Sequence, residues 1–215
     1  MTKRKTTAPQ TPSLRAPAQT RSRASMETLL EIGRRLIEER GIDDCSMSEV
    51  AAAAGSSIGS LYFRFGNRER FISEVMQRQL DGAREQLEVT IARLEGSASA
   101  DEAISGVVSW LFEVFARNKG LLRVQLKRTL EAPEVWRPYQ VFAGEIVERT
   151  IALIAPFEAV GADPAWKDRV RVALQVVIGT LNNMLINDPG PLKLDDGRAA
   201  EEFSKLTRAY LAFRP

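Results

Sequence analysis

Histidine is absent from the 215-residue chain, and cysteine occurs once, as Cys45. The first absence removes Ser–His–Asp and Cys–His catalysis in their usual forms, and with them a zinc site built on imidazole. One thiol makes neither a cysteine cluster nor an intrachain disulfide, and it suits a reducing compartment. No apolar run approaches the roughly 20 residues that span a bilayer. Residues 1–23 contain no acid and lack the apolar stretch of a secretion signal, while Pro9, Pro12 and Pro17 oppose the amphipathic helix of a transit peptide. The expectation is a disordered basic arm over 1–23, attracted to phosphate, on a cytoplasmic protein with no membrane partner and no metal or other cofactor.

The charge that is present is unevenly placed. The net formal charge is +2, but residues 1–80 hold 13 basic and 9 acidic side chains and the remainder 17 and 19. Hydrophobic residues make up 44% of the chain, an ordinary share for a globular protein.

Beyond the arm nearly every segment has helical period. Met26, Leu29, Leu30, Gly33, Leu36 and Ile37 form one stripe that ends at Gly41, a residue suited to the position just past a helix. Ser46 with Glu49 three residues later is a capping-box pattern for a short second helix, which stops at Gly55. Ser57 caps a third helix through Phe65, and Asn67 caps a long fourth. Further helices are expected over about 101–117, 121–131, 135–155, 164–187 and 198–213, separated by turn residues. The fold class is all-α: a helix-turn-helix domain over 24–72 and a larger helical domain over 73–215.

The link Gly55-Ser56-Ser57 is short enough to hold the second and third helices at a steep angle, the geometry in which the later helix enters a DNA major groove. On that third helix Leu61 and Phe65 face inward, and Ile58, Ser60, Phe63 and Arg64 face out. Tyr62 at the edge can reach a phosphate oxygen, and Arg68 adds a cation to the first turn of the fourth helix. Gly55-Ser56-Ser57-Ile58-Gly59 also matches the G-x-S-x-G of hydrolases, but that elbow needs a preceding strand and a base. Here an alanine-rich helix precedes it and histidine is missing.

The string Met47-Ser48-Glu49-Val50-Ala51, Ala54-Gly55, Ser57, Gly59-Ser60-Leu61-Tyr62-Phe63-Arg64-Phe65 and Asn67-Arg68-Glu69 resembles the DNA-binding domain of TetR-family transcriptional regulators. The resemblance covers about 50 residues. It implies a homodimer whose N-terminal domains read a double-stranded operator and whose C-terminal domains bind a small effector. Ser48 and Ser60 would then reach DNA, with Tyr62 and Arg68 on phosphates. The DNA-facing set expected here is Ser46, Ser48, Ser57, Ile58, Gly59, Ser60, Tyr62, Phe63, Arg64, Asn67 and Arg68. Two positions depart from the family pattern: Ser56 replaces an apolar turn residue, and Ile58 stands where a polar residue is frequent. Ile58 suits a thymine methyl rather than a hydrogen bond.

In the second half, the segment 164–187 is apolar around most of its circumference and so must be covered on more than one side. Sharing it and the terminal helix with a second subunit predicts a four-helix dimer contact through Val170, Leu174, Val177, Leu181, Leu206 and Tyr210. An apolar cavity with a few oriented polar groups is the usual form of an effector pocket. Trp110, Phe115, Leu126, Trp136, Phe142, Gln175 and Asn182 are its candidates. Two other functions compete: a helical small-molecule enzyme using Glu113, Glu131 or Glu145, and an interaction module with a vestigial helix-turn-helix. Cys45 is expected to be a passive packing residue, and no catalytic or metal site is expected.

Overall fold

The computed structural model describes residues 18–157 and 165–211, with side chains from Ser25 onward. The described residues form nine α-helices and one 3₁₀ turn, with no strand. The helices are α1 (Ala18–Arg40), α2 (Met47–Ala53), α3 (Ile58–Phe65), α4 (Arg68–Leu94), α5 (Ala100–Arg117) and α6 (Lys119–Thr129), then the 3₁₀ turn (Pro133–Trp136), α7 (Arg137–Ile154), α8 (Trp166–Asn187) and α9 (Gly197–Leu211).

Two apolar cores organise these helices. The smaller joins Leu29, Leu36 and Ile37 of α1, Val50 and Ala51 of α2, Leu61 and Phe65 of α3, and Phe71, Ile72, Val75 and Met76 of α4. The larger gathers the rest of α4 with α5, α7, α8 and α9. Helix α4 serves both, since its stripe continues through Leu80, Ala83, Leu87, Ile91 and Leu94. At 1.5 Å per residue its 27 residues run about 40 Å. Helix α6 is divided more finely: Leu121 is fully buried in the smaller core, and the adjacent Leu122 lines a cavity of the larger domain.

Several expectations shift. Helix α1 begins at Ala18, inside the segment expected to be an arm, because no helix breaker follows Pro17. Residues 1–17 lie outside the described residues, as does Phe213 of the expected terminal helix. The smaller core extends past residue 72 to Val75, Met76 and Leu121. The segment expected as one helix over 135–155 opens as a 3₁₀ turn, with Pro133 in its first position.

The largest correction concerns α8. Val170, Leu174, Val177 and Leu181 are 0–2% exposed and belong to the protomer's own core, so they are not available to a partner. Their i, i+4, i+7, i+11 spacing is the most regular apolar stripe on the helix, and the fold uses it internally. Besides Ile186, the large apolar residues left outside on these two helices are Val172 and Val176 of α8 and Leu206 and Tyr210 of α9, all 45–61% exposed. They frame an apolar groove between the two helices.

The smaller core is packed closely where α1 crosses α4. A Cβ on Gly33 would lie 2.4 Å from Cζ of Phe71. That ring is itself held edge-on to Phe65, with centroids 4.9 Å apart. Gly33→Ala is therefore expected to lose about 1–3 kcal/mol of stability through overpacking. In α4, a Cβ on Gly82 would meet nothing within 4 Å, and Gly82→Ala is expected to gain about 0.5–1 kcal/mol from reduced unfolded-state freedom. Urea denaturation of the two variants checks both signs.

Candidate functional site

Helix α3 is placed by its two ends and its buried side. At the turn before it, α2 closes in a Schellman arrangement: Ser56 N–H donates to Ala51 C=O at 2.9 Å and Gly55 N–H to Ala52 C=O at 3.2 Å. Gly55 supplies the required left-handed backbone, at φ +60°. Ser56, which stands where the family pattern has an apolar residue, closes this turn through its backbone N–H. Ser57 Oγ then accepts from Ser60 N–H at 3.2 Å and starts α3. Leu61 and Phe65 are buried at 0% and 4% exposure, each contributing roughly 1.5–3 kcal/mol of apolar burial.

With that side fixed, the outer face follows. Phe63 is 92% exposed, and Ile58 and Tyr62 are 46% exposed. Gly59 and Arg64 are exposed and Ser60 is half-buried. A large aromatic ring in water is unfavourable unless a partner covers it. Ile58, Phe63 and the rim of Tyr62 form such a surface on one short helix.

The flanking polar residues have structural duties. Ser46 and Glu49 complete a reciprocal capping box on α2, with Ser46 Oγ accepting from Glu49 N–H at 3.2 Å and Ser46 N–H donating to Glu49 Oε2 at 3.3 Å. The Ser46 hydroxyl also donates to Glu49 Oε2 at 2.8 Å, and this bond, the one from Ser46 N–H and the nearby Arg40 hold the Glu49 carboxyl below its usual range. Ser48 is exposed, its hydroxyl 3.0 Å from that of Ser46. Asn67 caps α4, accepting from Arg70 N–H at 2.8 Å.

Arg68 departs from expectation. Instead of standing free at the start of α4, its guanidinium reaches back to the α1–α2 loop. Nε donates to the Cys45 carbonyl at 3.0 Å and Nη2 donates to the Ile42 carbonyl. Nη1 lies 3.5 Å from Glu69 Oε1. The physical reason is geometric: the loop's carbonyls point at the first turn of α4, and a five-donor fork satisfies several at once. Arg68 therefore ties the α1–α2 loop to the start of α4. Cys45 is buried beside it, and burial pushes its thiol up, so the group stays protonated.

The second site is a cavity of about 120 Å³ between α4, α5, α6, α7 and α8. Trp110, Phe115, Trp136, Phe142 and Asn182 line it as expected from sequence. Leu126 and Gln175 do not, Gln175 being exposed on the outer side of α8. Gln79, Leu80, Tyr139 and Gln140 also line it and were not among the residues expected there. Tyr139 stacks on Trp136 with centroids 4.9 Å apart and donates to Gln79 Oε1 at 3.2 Å. Burial pushes its phenol upward, so it acts as a neutral donor. Among the described residues, no group of three or more His, Cys, Asp or Glu could hold a metal ion. No described helix is long and apolar enough to cross a membrane.

The three-helix unit with an outward α3, carried on a larger helical domain with an inner cavity, defines a helix-turn-helix protein of the TetR architecture. Residues 29–75 match the family of bacterial regulatory proteins described as the tetR family. The HTH-type transcriptional regulator YvdT of Bacillus subtilis, itself uncharacterized, is 22% identical over 154 residues, covering 69% of this chain and 77% of that protein. A protein of Mesorhizobium loti assigned to the TetR family of transcriptional regulators has a similar fold, with TM-score 0.73 and 16% identity over 89% of this chain and 97% of that one. The regulator FadR of Bacillus subtilis, solved in complex with stearoyl-CoA, has TM-score 0.55 and 21% identity over 84% and 96%. The tetR-family match is thus carried by residues 29–75, and the chain as a whole shares the fold of these TetR-family regulators.

The role of Arg68 is open to a direct check. Arg68→Met keeps the aliphatic stem and strips the donors, leaving the Ile42 and Cys45 carbonyls without their guanidinium partner. The expected loss is about 1–3 kcal/mol in urea denaturation, whereas wild-type stability would show that these contacts carry no load.

Proposed function

We propose that this protein is a cytoplasmic, dimeric transcriptional repressor released from a palindromic operator by a small-molecule effector. The observation that carries the reading is the bare outer face of α3, an apolar and aromatic surface seated rigidly on a family-matched helix-turn-helix. In a major groove, Ile58 and Phe63 suit thymine methyls, the hydroxyl of Tyr62 suits a phosphate oxygen, and Ser48 and Ser60 supply small polar contacts. Arg64 adds a cation on the same helix. Ser46, Ser57 and Asn67 cap helices at that surface, and Gly59 lets the α3 backbone come close to the duplex. Arg68 contributes by holding the unit together.

Dimerisation uses the outward stripe of Val172, Val176, Leu206 and Tyr210, which two-fold symmetry would close into a four-helix contact. Two α3 helices then read half-sites about 34–36 Å apart, one helical turn or a multiple of it. The route from cavity to DNA runs through α6, where Leu121 touches the DNA-domain core and Leu122 the cavity wall. Arg128 of α6 also pairs with Glu69 at the start of α4, at 2.9 Å. An effector that favours another position of α6 and α4 changes the α3 spacing and weakens operator binding. That the same fold in FadR holds stearoyl-CoA supports a ligand in the larger domain.

Genomic fragments selected on the purified protein, then assayed by fluorescence anisotropy, test the DNA reading. Tyr62→Ala and Phe63→Ala are each expected to lose roughly tenfold in affinity, the loss of one good contact. Wild-type affinity in both, or failure to retain any fragment, would overturn it. Leu206→Arg is expected to convert the dimer to monomer in sedimentation velocity, and an unchanged dimer would move the interface elsewhere.

A further inference from the structure

Four buried side-chain nitrogen or oxygen atoms among the described residues lack a hydrogen-bond partner: Trp110 Nε1, Gln125 Oε1, Asn182 Oδ1 and Arg208 Nε. Leaving such an atom unpaired destabilises the fold, so native structures keep few of them, and a cluster needs a reason. The first three are on residues that line two adjoining cavities. Trp110 and Asn182 belong to the inner cavity described above. Gln125 belongs to an outer one of about 180 Å³ between α4, α6, the 3₁₀ turn and α7. The two share Leu80 and Tyr139 as a common wall.

For two of these groups the hydrogen-bonding sense is fixed. Gln125 is 4% exposed, and its Nε2 donates to the Val135 carbonyl at 2.8 Å, which fixes the amide and leaves Oε1 as the open acceptor. Trp110 is also 4% exposed, and an indole nitrogen is a donor only. The hydroxyl of Tyr139 is already committed to Gln79.

Charge separates the candidate ligands further. Among the described residues, no ionisable side chain other than the protonated Tyr139 lines the inner cavity. The cation among the described residues of the outer cavity, Arg128, is already paired with Glu69. A carboxylate or phosphate placed here would lose its water and gain no free counter-charge in return.

We infer that the ligand of these adjoining cavities is an uncharged, mainly apolar molecule with a head group that both accepts and donates hydrogen bonds, such as a primary amide or an alcohol. Its acceptor meets the Trp110 indole N–H, and its donor meets the Asn182 or Gln125 carbonyl oxygen. The inference rests on the reading of the inner cavity as the effector site.

Isothermal titration calorimetry of the full chain with octanamide, 1-octanol and octanoate at neutral pH tests it. The three share an apolar tail and differ in head group and charge. The expected result is binding of octanamide and 1-octanol at least about tenfold tighter than octanoate. Trp110→Phe and Asn182→Leu should each weaken octanamide by about tenfold. Asn182→Leu should also melt no lower than the wild type without ligand, since it removes an unpaired polar group. Octanoate binding as tightly as octanamide, or variants that bind octanamide like the wild type, would overturn the ligand class and leave the cavity as an effector site. Absence of binding by all three compounds would overturn both readings. Should a variant fail to fold, the ranking of the three compounds on the wild-type protein decides alone.

Discussion

The burial of Leu61 and Phe65 is the constraint on which the rest depends. Both side chains lie within the smaller core, Phe65 edge-on to Phe71, and together they fix the rotation of an eight-residue helix about its own axis. A helix this short has little stability of its own, so packing, capping by Ser57 and the turn at Gly55 hold it in place. Once that rotation is set, Ile58, Phe63 and Arg64 have nowhere to go but outward. The apolar character of this exposed face is then a property of the fold rather than an accident of one rotamer.

The same economy links the two domains. Helix α4 contributes to both cores without a break, and neighbouring residues of α6 are divided between them. Arg68 and Arg128 add polar ties at the start of α4, one to the α1–α2 loop and one from α6 to Glu69. Packed cores repack between discrete arrangements rather than deform smoothly. In the function proposed above, a change in cavity filling acts at Leu122, and through the adjacent Leu121 at the base of the DNA-binding unit.

Much of the DNA-binding unit was legible in the sequence because local signals there agree with one another. The Ser46–Glu49 capping box, Gly55 in the turn, Ser57 and Asn67 as caps, and the inward spacing of Leu61 and Phe65 all point to the same three helices. Arg68 was misplaced because its partners are carbonyls more than 20 residues earlier, and backbone acceptors leave no mark in residue identity. The dimer stripe was misread for a related reason. Periodicity shows that Val170, Leu174, Val177 and Leu181 share a face but not which neighbour covers it, and the protomer's own core took that face. The cavity was legible in part: large aromatics such as Trp110 and Phe142 announced it, whereas Gln79 and Tyr139 became part of it only through packing between helices distant in sequence.

The central claim is that the outer face of α3 is the surface that meets DNA. Hydroxyl-radical footprinting with mass spectrometry reads the oxidation of the Tyr62 and Phe63 rings directly, with and without a selected genomic fragment. Both rings should react readily in the free protein and become strongly protected when the fragment is bound, with salt that releases the DNA restoring their reactivity. Unchanged oxidation of Phe63 in the presence of bound DNA would contradict the account.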